Sequence, residues 1–198
     1  MSDAQHQKVT VIYHSGFGHA ARLAEAVADG ARQYPGTEVA LVSVEKAEEN
    51  WDVLDASDAV IFGCPTYMGS ASAPFKAFID STSKHFQTRA WSGKVAGGFT
   101  VSASQSGDKL STLLQLGICA AQLGMILVGV DLGPGNNSSK GSPDDLNRLG
   151  SEFGAMAQAN FDEGPEAMRD SDLKTGAHLG ERVAKVAAQI KAGRLTVG

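Results

Sequence analysis

Three short segments of this 198-residue chain carry residue types suited to holding a ligand. The first reads HSGFGHA over 14–20. Gly16 and Gly18 let the backbone curl until its amides converge, and Ser15 adds a hydroxyl. A helix opening at His19 and Ala20 supplies partial positive charge, so the chemistry is that of phosphate binding. Gly16, Gly18 and Ala21 also satisfy the dinucleotide spacing G-x-G-x-x-G/A, which alone is a weak signal. That motif requires an acidic residue about 20 positions on, to hold a ribose. The nearest candidate, Glu45, lies 27 positions beyond Gly18. The serine at the head of the loop is a further departure, and both points favour a mononucleotide.

The second segment, GCPTYMGS over 63–70, places Pro65, Thr66, Tyr67, Met68 and Gly69 after an apolar run. An aromatic ring and a soft thioether suit a flat apolar ligand, with backbone amides left for its polar edge. The third, SASQSG over 102–107, offers Ser102, Ala103, Ser104, Gln105, Ser106 and Gly107 to the opposite edge. A phosphate site beside a flat-ring site describes a phosphorylated ribityl chain with a tricyclic head, which is FMN. A bound flavin carries the electron chemistry itself, so no side chain is assigned as a catalytic nucleophile or acid.

These segments need a frame that brings them together. KVTVIYH (8–14), TEVALVSV (37–44), DAVIFG (58–63), the run 94–101 and MILVGV (125–130) read as strands. Between them, Ala20, Leu23, Ala24, Val27, Ala28 and Ala31 recur as one helix face, ended by Pro35-Gly36. Pro74 opens a second helix whose inward face is Phe75, Phe78, Ile79, Thr82 and Phe86. Leu110, Leu113, Leu114, Gly117 and Ile118 mark a third, and Leu173, Ala177, Gly180, Val183, Ala184, Ala187 and Ile190 a closing one. A weak helical stretch falls near 146–156. Five strands alternating with helices predict a doubly wound α/β sandwich with a parallel sheet. In such a sheet, ligands bind outside the carboxyl ends of the strands, where the three segments lie. One domain is expected over 1–198, with 1–7 a flexible tail and 131–169 a loop-rich insertion.

Composition excludes several classes. Seventeen basic and 22 acidic residues give a net charge of −5, with no basic run to meet a phosphate backbone, so no nucleic-acid partner is expected. No apolar stretch reaches the ~18–20 residues of a membrane span, and the polar start is no signal peptide. Cys64 and Cys119 form no metal-ligand pattern, so no metal is expected and both read as reduced thiols of a cytoplasmic protein.

The chain resembles the flavodoxin-like family, and within it the WrbA-type NAD(P)H:quinone oxidoreductases. The resemblance rests on VIYHSGFGHA (11–20), AVIFGCPTYMGS (59–70), FKAFID (75–80), GKVAGGFTVSASQSG (93–107) and LGMILVGV (123–130). It implies strand order 2-1-3-4-5, non-covalent FMN, and two-electron transfer from NAD(P)H to a quinone by a ping-pong route. Residue by residue, it implies Ser15, Gly16, Phe17, Gly18, His19 and Ala20 at the phosphate. Thr66, Tyr67 and Met68 fall on one side of the ring and 102–107 on the other. Phe17 matches an aromatic beside the nicotinamide, Phe86 stands where relatives have a tryptophan over the quinone, and Gln122 where they have a histidine from a neighbouring subunit.

The segment 75–91 holds Phe75, Phe78, Phe86 and Trp91, more aromatic surface than one small helix needs for its own core, so Phe86 and Trp91 are expected at the pocket rim and at a contact with another subunit of a homodimer or homotetramer. His14 and His178 read as structural, and Cys64 and Cys119 as packing. His19 reads as either a flavin contact or an exposed helix start, and His85 as either a substrate contact or an exposed helix end. Trp51 reads as a half-buried anchor, while Asn136 and Asn137 belong to a lid or a plain loop. Two other classes use the same loops: a one-electron carrier flavodoxin, and an NAD(P)H-dependent FMN or azo reductase.

Overall fold

The computed structural model describes residues 6–197, the last three by backbone alone. Strands and helices alternate as β1 (Gln7–Tyr13), α1 (His19–Gln33), β2 (Thr37–Ser43), a 3-10 turn (Val44–Glu49), α2 (Trp51–Ala56) and β3 (Ala59–Tyr67). There follow β4 (Ser70–Ala71), α3 (Ala73–Ser81), α4 (Ser83–Thr88), β5 (Val95–Ser102), α5 (Lys109–Gln122), β6 (Ile126–Leu127), β7 (Ala155–Gln158), a second 3-10 turn (Pro165–Ala167) and α6 (Asp170–Val197). The parallel strands run in the order β2-β1-β3-β5-β6. Once the short antiparallel β4 is set aside, this is the expected order 2-1-3-4-5.

Period-two alternation along the central strands feeds two cores. On β3, Ala59 and Ile61 face one side with Val9, Val11 and Phe99, under α1 and α6. Val60, Phe62 and Cys64 face the other with Ile12, Phe75 and Leu116, under α3 and α5. Every β3 residue but the last is buried, as a strand covered on both faces requires. Helices α1 and α6 approach closely because Gly30 and Gly180 carry no side chain. A Cβ at Gly30 would run into the Ala177 carbonyl, and one at Gly180 into the Val27 carbonyl.

The structure corrects four expectations. The tail cannot include Gln7, which opens β1 and donates from Nε2 to Thr37 Oγ1 at 2.6 Å and to the Pro35 carbonyl at 3.2 Å. Residues 1–5 of the expected tail lie outside the described residues.

The second correction is to the fifth strand, which is divided. Only Ile126–Leu127 pair with β5 at its start, and β7 resumes beside its end, Ala155 opposite Phe99 and Gln158 opposite Ser102. Third, the stretch near 146–156 is no helix. Asn147 donates to the Leu132 carbonyl at 2.9 Å and accepts from Ser151 N–H at 2.8 Å, and Gly150 adopts a φ of 65°. Those bonds pin an irregular turn that delivers the chain to β7. Fourth, the helix begun at Pro74 breaks at Thr82, whose hydroxyl bonds the Ile79 carbonyl at 2.7 Å. Past the break Phe86 turns out to solvent.

Candidate functional site

The loop from β1 to α1 lies at the carboxyl end of the sheet. Gly18 caps α1 with φ 91° and ψ −27°, a left-handed conformation natural to glycine, and no side chain caps the helix. Its N–H donates to Ser15 Oγ at 3.1 Å, drawing the loop into a tight turn. The N–H groups of Gly16, Phe17, His19 and Ala20 donate to no other described residue. With the dipole of a 15-residue helix behind them, these donors have the arrangement that an anion would need, without a lysine or arginine.

The second segment prolongs β3 through Pro65, Thr66 and Tyr67, then turns on Met68 and Gly69, both at positive φ, to pair Tyr67 with Ser70. Tyr67 stands against Gly16, where a Cβ would come within 2.6 Å of its hydroxyl. Partial burial holds the Tyr67 phenol above its ordinary pKa, so it stays protonated. The Thr66 side chain is buried and its hydroxyl is already engaged. Its hydroxyl meets Thr100 Oγ1 and Thr112 Oγ1, each at 2.8 Å, in a buried chain.

Between these loops and the end of β5 lies a cavity of about 400 Å³. Ser15, Gly16, Phe17, His19 and Ala20 line it on one side, Pro65, Thr66 and Tyr67 on another, and Ser102 and Ala103 on a third. Three further residues close it: Val101, Ala159 and Phe161. Phe17 and Phe161 are 77% and 88% exposed, and Phe17 meets Tyr67 edge-on with centroids 6.3 Å apart. The loop after β7 is tied to the phosphate loop, because His19 Nε2 donates to the Glu163 carbonyl at 2.9 Å. Pro165 packs over Gly18.

The backbone N–H groups of 103–107 also donate to no described residue. Free amides at one end, aromatic walls and free amides at the far edge fit the phosphate, the flat ring and the polar ring edge of FMN. Among the described residues, no group of three or more His, Cys, Asp or Glu is placed to hold a metal ion.

A family profile described as NADPH-dependent FMN reductase matches residues 32–133. The chain is 32% identical over 209 residues to an NAD(P)H dehydrogenase (quinone) of Methanosarcina acetivorans, covering 92% of this chain and 98% of that protein. The chain belongs to the NADPH-dependent FMN reductase family.

Other relatives agree on the fold. Flavodoxin FldP of Pseudomonas aeruginosa is 40% identical over 189 residues, covering 93% of this chain and 99% of its own length. A crystal structure of a WrbA-like flavodoxin from Agrobacterium tumefaciens superposes with a TM-score of 0.71 at 39% identity, over 92% and 98% of the two chains. Membership makes this chain a flavodoxin-like flavoprotein of the oxidoreductase class, with FMN as cofactor and NAD(P)H as electron donor.

Several residues predicted for the flavin site fall elsewhere in this member of the family. Trp91 is fully buried at the opposite end of the sheet, just before β5 begins. Its indole stacks near Phe62, His85 and Trp51 and donates to Asp55 Oδ1 at 2.7 Å. It therefore reaches neither substrate nor another subunit. Phe86 lies with Gln122, Ile79 and Ile118 along a separate groove between α3–α4 and α5, away from the flavin cavity. Met68 is fully exposed at its turn, and Gly69, Ser104, Gln105, Ser106 and Gly107 do not line the cavity.

The remaining histidines and cysteines have structural surroundings. His85 is buried and 3.0 Å from Asp55, neither a substrate contact nor an exposed helix end. His14 bonds Ser72 Oγ at 2.8 Å, and His178 is half-buried on α6 with a buried Nε2 that finds no partner among the described residues. Burial pushes the Cys64 and Cys119 thiols up to about 11. Trp51 stacks on Phe78 at 5.7 Å as an anchor. Asn136 and Asn137 sit in an exposed turn where Asp145 accepts from the Asn136 N–H at 3.0 Å, away from the cavity.

Proposed function

We propose that this protein oxidises NAD(P)H and reduces a quinone, two electrons at a time, at one FMN site. When bound, FMN supplies hydride acceptance and donation. The chain's residues do the holding. Ser15 and the free amides of Gly16, Phe17, His19 and Ala20 bind the phosphate. Pro65, Thr66 and Tyr67 flank the ring through backbone and aromatic face, and Ser102 and Ala103 meet its polar edge. Phe17 and Phe161 stand at the mouth, where a flat nicotinamide or quinone would lie against them.

The observation that carries the reading is that two exposed aromatic rings, Phe17 and Phe161, line the cavity that fits the flavin. A single exposed flavin face there would serve both substrates in turn, which is a ping-pong order. Relatives named NAD(P)H dehydrogenase (quinone) support the acceptor class. Initial rates with NADH or NADPH against p-benzoquinone should give parallel reciprocal plots. Intersecting lines would reject the shared site. Turnover of a redox protein but of no quinone would instead make the chain a carrier, the reading favoured by its likeness to FldP.

We further propose a homo-oligomer, dimer or tetramer. Leu110, Leu114 and Ile118 form an exposed stripe on α5, one turn apart, and Phe86 continues it. No helix among the described residues is long and apolar enough to cross a membrane. The compartment proposed is the cytoplasm, which suits two free, buried thiols.

A further inference from the structure

Lys109, the first residue of α5, has no solvent exposure and no carboxylate within ion-pair distance among the described residues. A buried, unpaired ammonium is costly unless its protons are all taken up. Here they are. Nζ donates to Ser102 Oγ at 2.9 Å, to the Ser104 carbonyl at 2.8 Å and to the Gln105 carbonyl at 2.8 Å. The loop it clasps has few other bonds, one of them from Ser102 Oγ to the Ser104 carbonyl at 3.0 Å. Gln158 Nε2 donates to the Ala103 carbonyl at 2.9 Å, and Ala159 N–H to the Ser102 carbonyl at 3.1 Å. The loop also turns through two successive left-handed residues, Gly107 at φ 56° and Asp108 at φ 52°. Asp108 pays for that conformation in strain, which something must hold in place.

We propose that Lys109 is a positioning residue for the flavin: its ammonium draws the Ser104 and Gln105 carbonyls inward, so that the loop holds the unpaired Ala103 N–H at the cavity wall for the polar edge of the isoalloxazine. The inference rests on the FMN reading and adds to it the group that sets the geometry of the ring-edge loop.

Desolvation lowers the Lys109 pKa to about 8, with Asp172 on α6 opposing the shift and Arg148 of the 128–154 segment adding to it. Arg148 and Asp172 are themselves paired at 2.7 Å, and Asp108 is exposed beside the clasp. The ammonium is thus present below about pH 8 and lost above it. An electron-rich ring edge nearby favours the protonated form, so flavin affinity is linked to this proton and falls as pH rises.

The test is fluorescence titration of flavin-free protein with FMN and with riboflavin, for wild type, Lys109→Met and Lys109→Gln. Lys109→Met should weaken both flavins by the same factor, about ten-fold or more, because the loss lies at the ring and spares the phosphate. Lys109→Gln, which keeps N–H donors, should recover part of it. Wild-type affinity for either flavin should fall from about pH 7 to about pH 9, and this slope should vanish in Lys109→Met.

Equal affinities in wild type and Lys109→Met, or a loss confined to FMN, overturn the assignment. Should Lys109→Met not fold, a flat wild-type profile for riboflavin overturns it alone. A wild-type protein that binds neither flavin overturns the functional reading, and this inference with it.

Discussion

Replacing Ser15 with alanine tests the phosphate loop at its most specific atom. Ser15 Oγ accepts the Gly18 N–H at 3.1 Å, and it is the only side-chain oxygen among residues 15–20. A hydrogen bond to a charged group contributes about 1.5–3 kcal/mol, and a neutral one within the loop about 1 kcal/mol. The first contribution exists only for a phosphorylated ligand. FMN affinity should therefore fall about 10- to 150-fold, while riboflavin changes by no more than a few-fold. Ser15→Thr keeps the hydroxyl and should retain most of the FMN preference. Gly18→Val should cost more, since it needs a β-branched residue at φ 91° with a Cβ 3.0 Å from Pro165 Cγ. The assay is quenching of flavin fluorescence on flavin-free protein, with both ligands on each variant. If Ser15→Ala weakens riboflavin as much as FMN, the hydroxyl shapes the ring site and the loop is not the phosphate anchor.

Three further outcomes are expected. Trp91→Ala should destabilise the fold by about 3–5 kcal/mol in urea denaturation, leaving the FMN-to-riboflavin ratio untouched; a change in that ratio would return the indole to the flavin site. Ile118→Glu should shift the sedimenting species toward the monomer of 20.6 kDa without loss of FMN, and an unchanged oligomer would move the interface elsewhere. With thiol pKa values raised to about 11, Cys64 and Cys119 should resist a thiol-disulfide reagent at pH 8 in the folded protein. Their reactivity should climb only as pH approaches those values, and rapid labelling at pH 8 would show either thiol to be accessible.

How much of this was legible in the sequence depended on whether the signal was local. The run AVIFGCP declares a strand buried on both faces, and the Pro35-Gly36 stop closes α1 within two residues of where periodicity places it. The phosphate loop is legible because glycine and serine at fixed offsets have a direct backbone consequence. Trp91 was misplaced because a count of aromatic residues carries no information about which end of the sheet they occupy. A signal was available: Trp91 precedes a parallel strand, and residues before such strands lie opposite the loops that follow them. The break at Thr82 was invisible to periodicity, since Phe86 keeps the spacing of Phe75 and Phe78 although one helix ends at Ser81 and another starts at Ser83.

The divided fifth strand shows why the remaining wall of the site went unread. MILVGV looks complete, so nothing in it demands a continuation. Yet the sheet needs a partner for the far half of β5, and Ala155, Ala157 and Ala159 alternate to provide it, all buried. Small side chains suit that place because Gly154 lies against the Gly98 carbonyl, where a Cβ would not fit. Once β7 is recognised, the position of Phe161 follows, because the residues after a parallel strand fall at the ligand end of the sheet. The 128–154 segment therefore does more than lengthen the chain. It carries Arg148 to Asp172, whose carboxylate also receives the Gln158 N–H at 2.9 Å, while the Gln158 side chain holds the Ala103 carbonyl. Through that series of bonds, a segment remote in sequence from the flavin loops bears on the same loop that Lys109 clasps. Disturbing Arg148 should thus loosen 103–107 without touching the cavity itself, and it should do so for riboflavin and FMN alike.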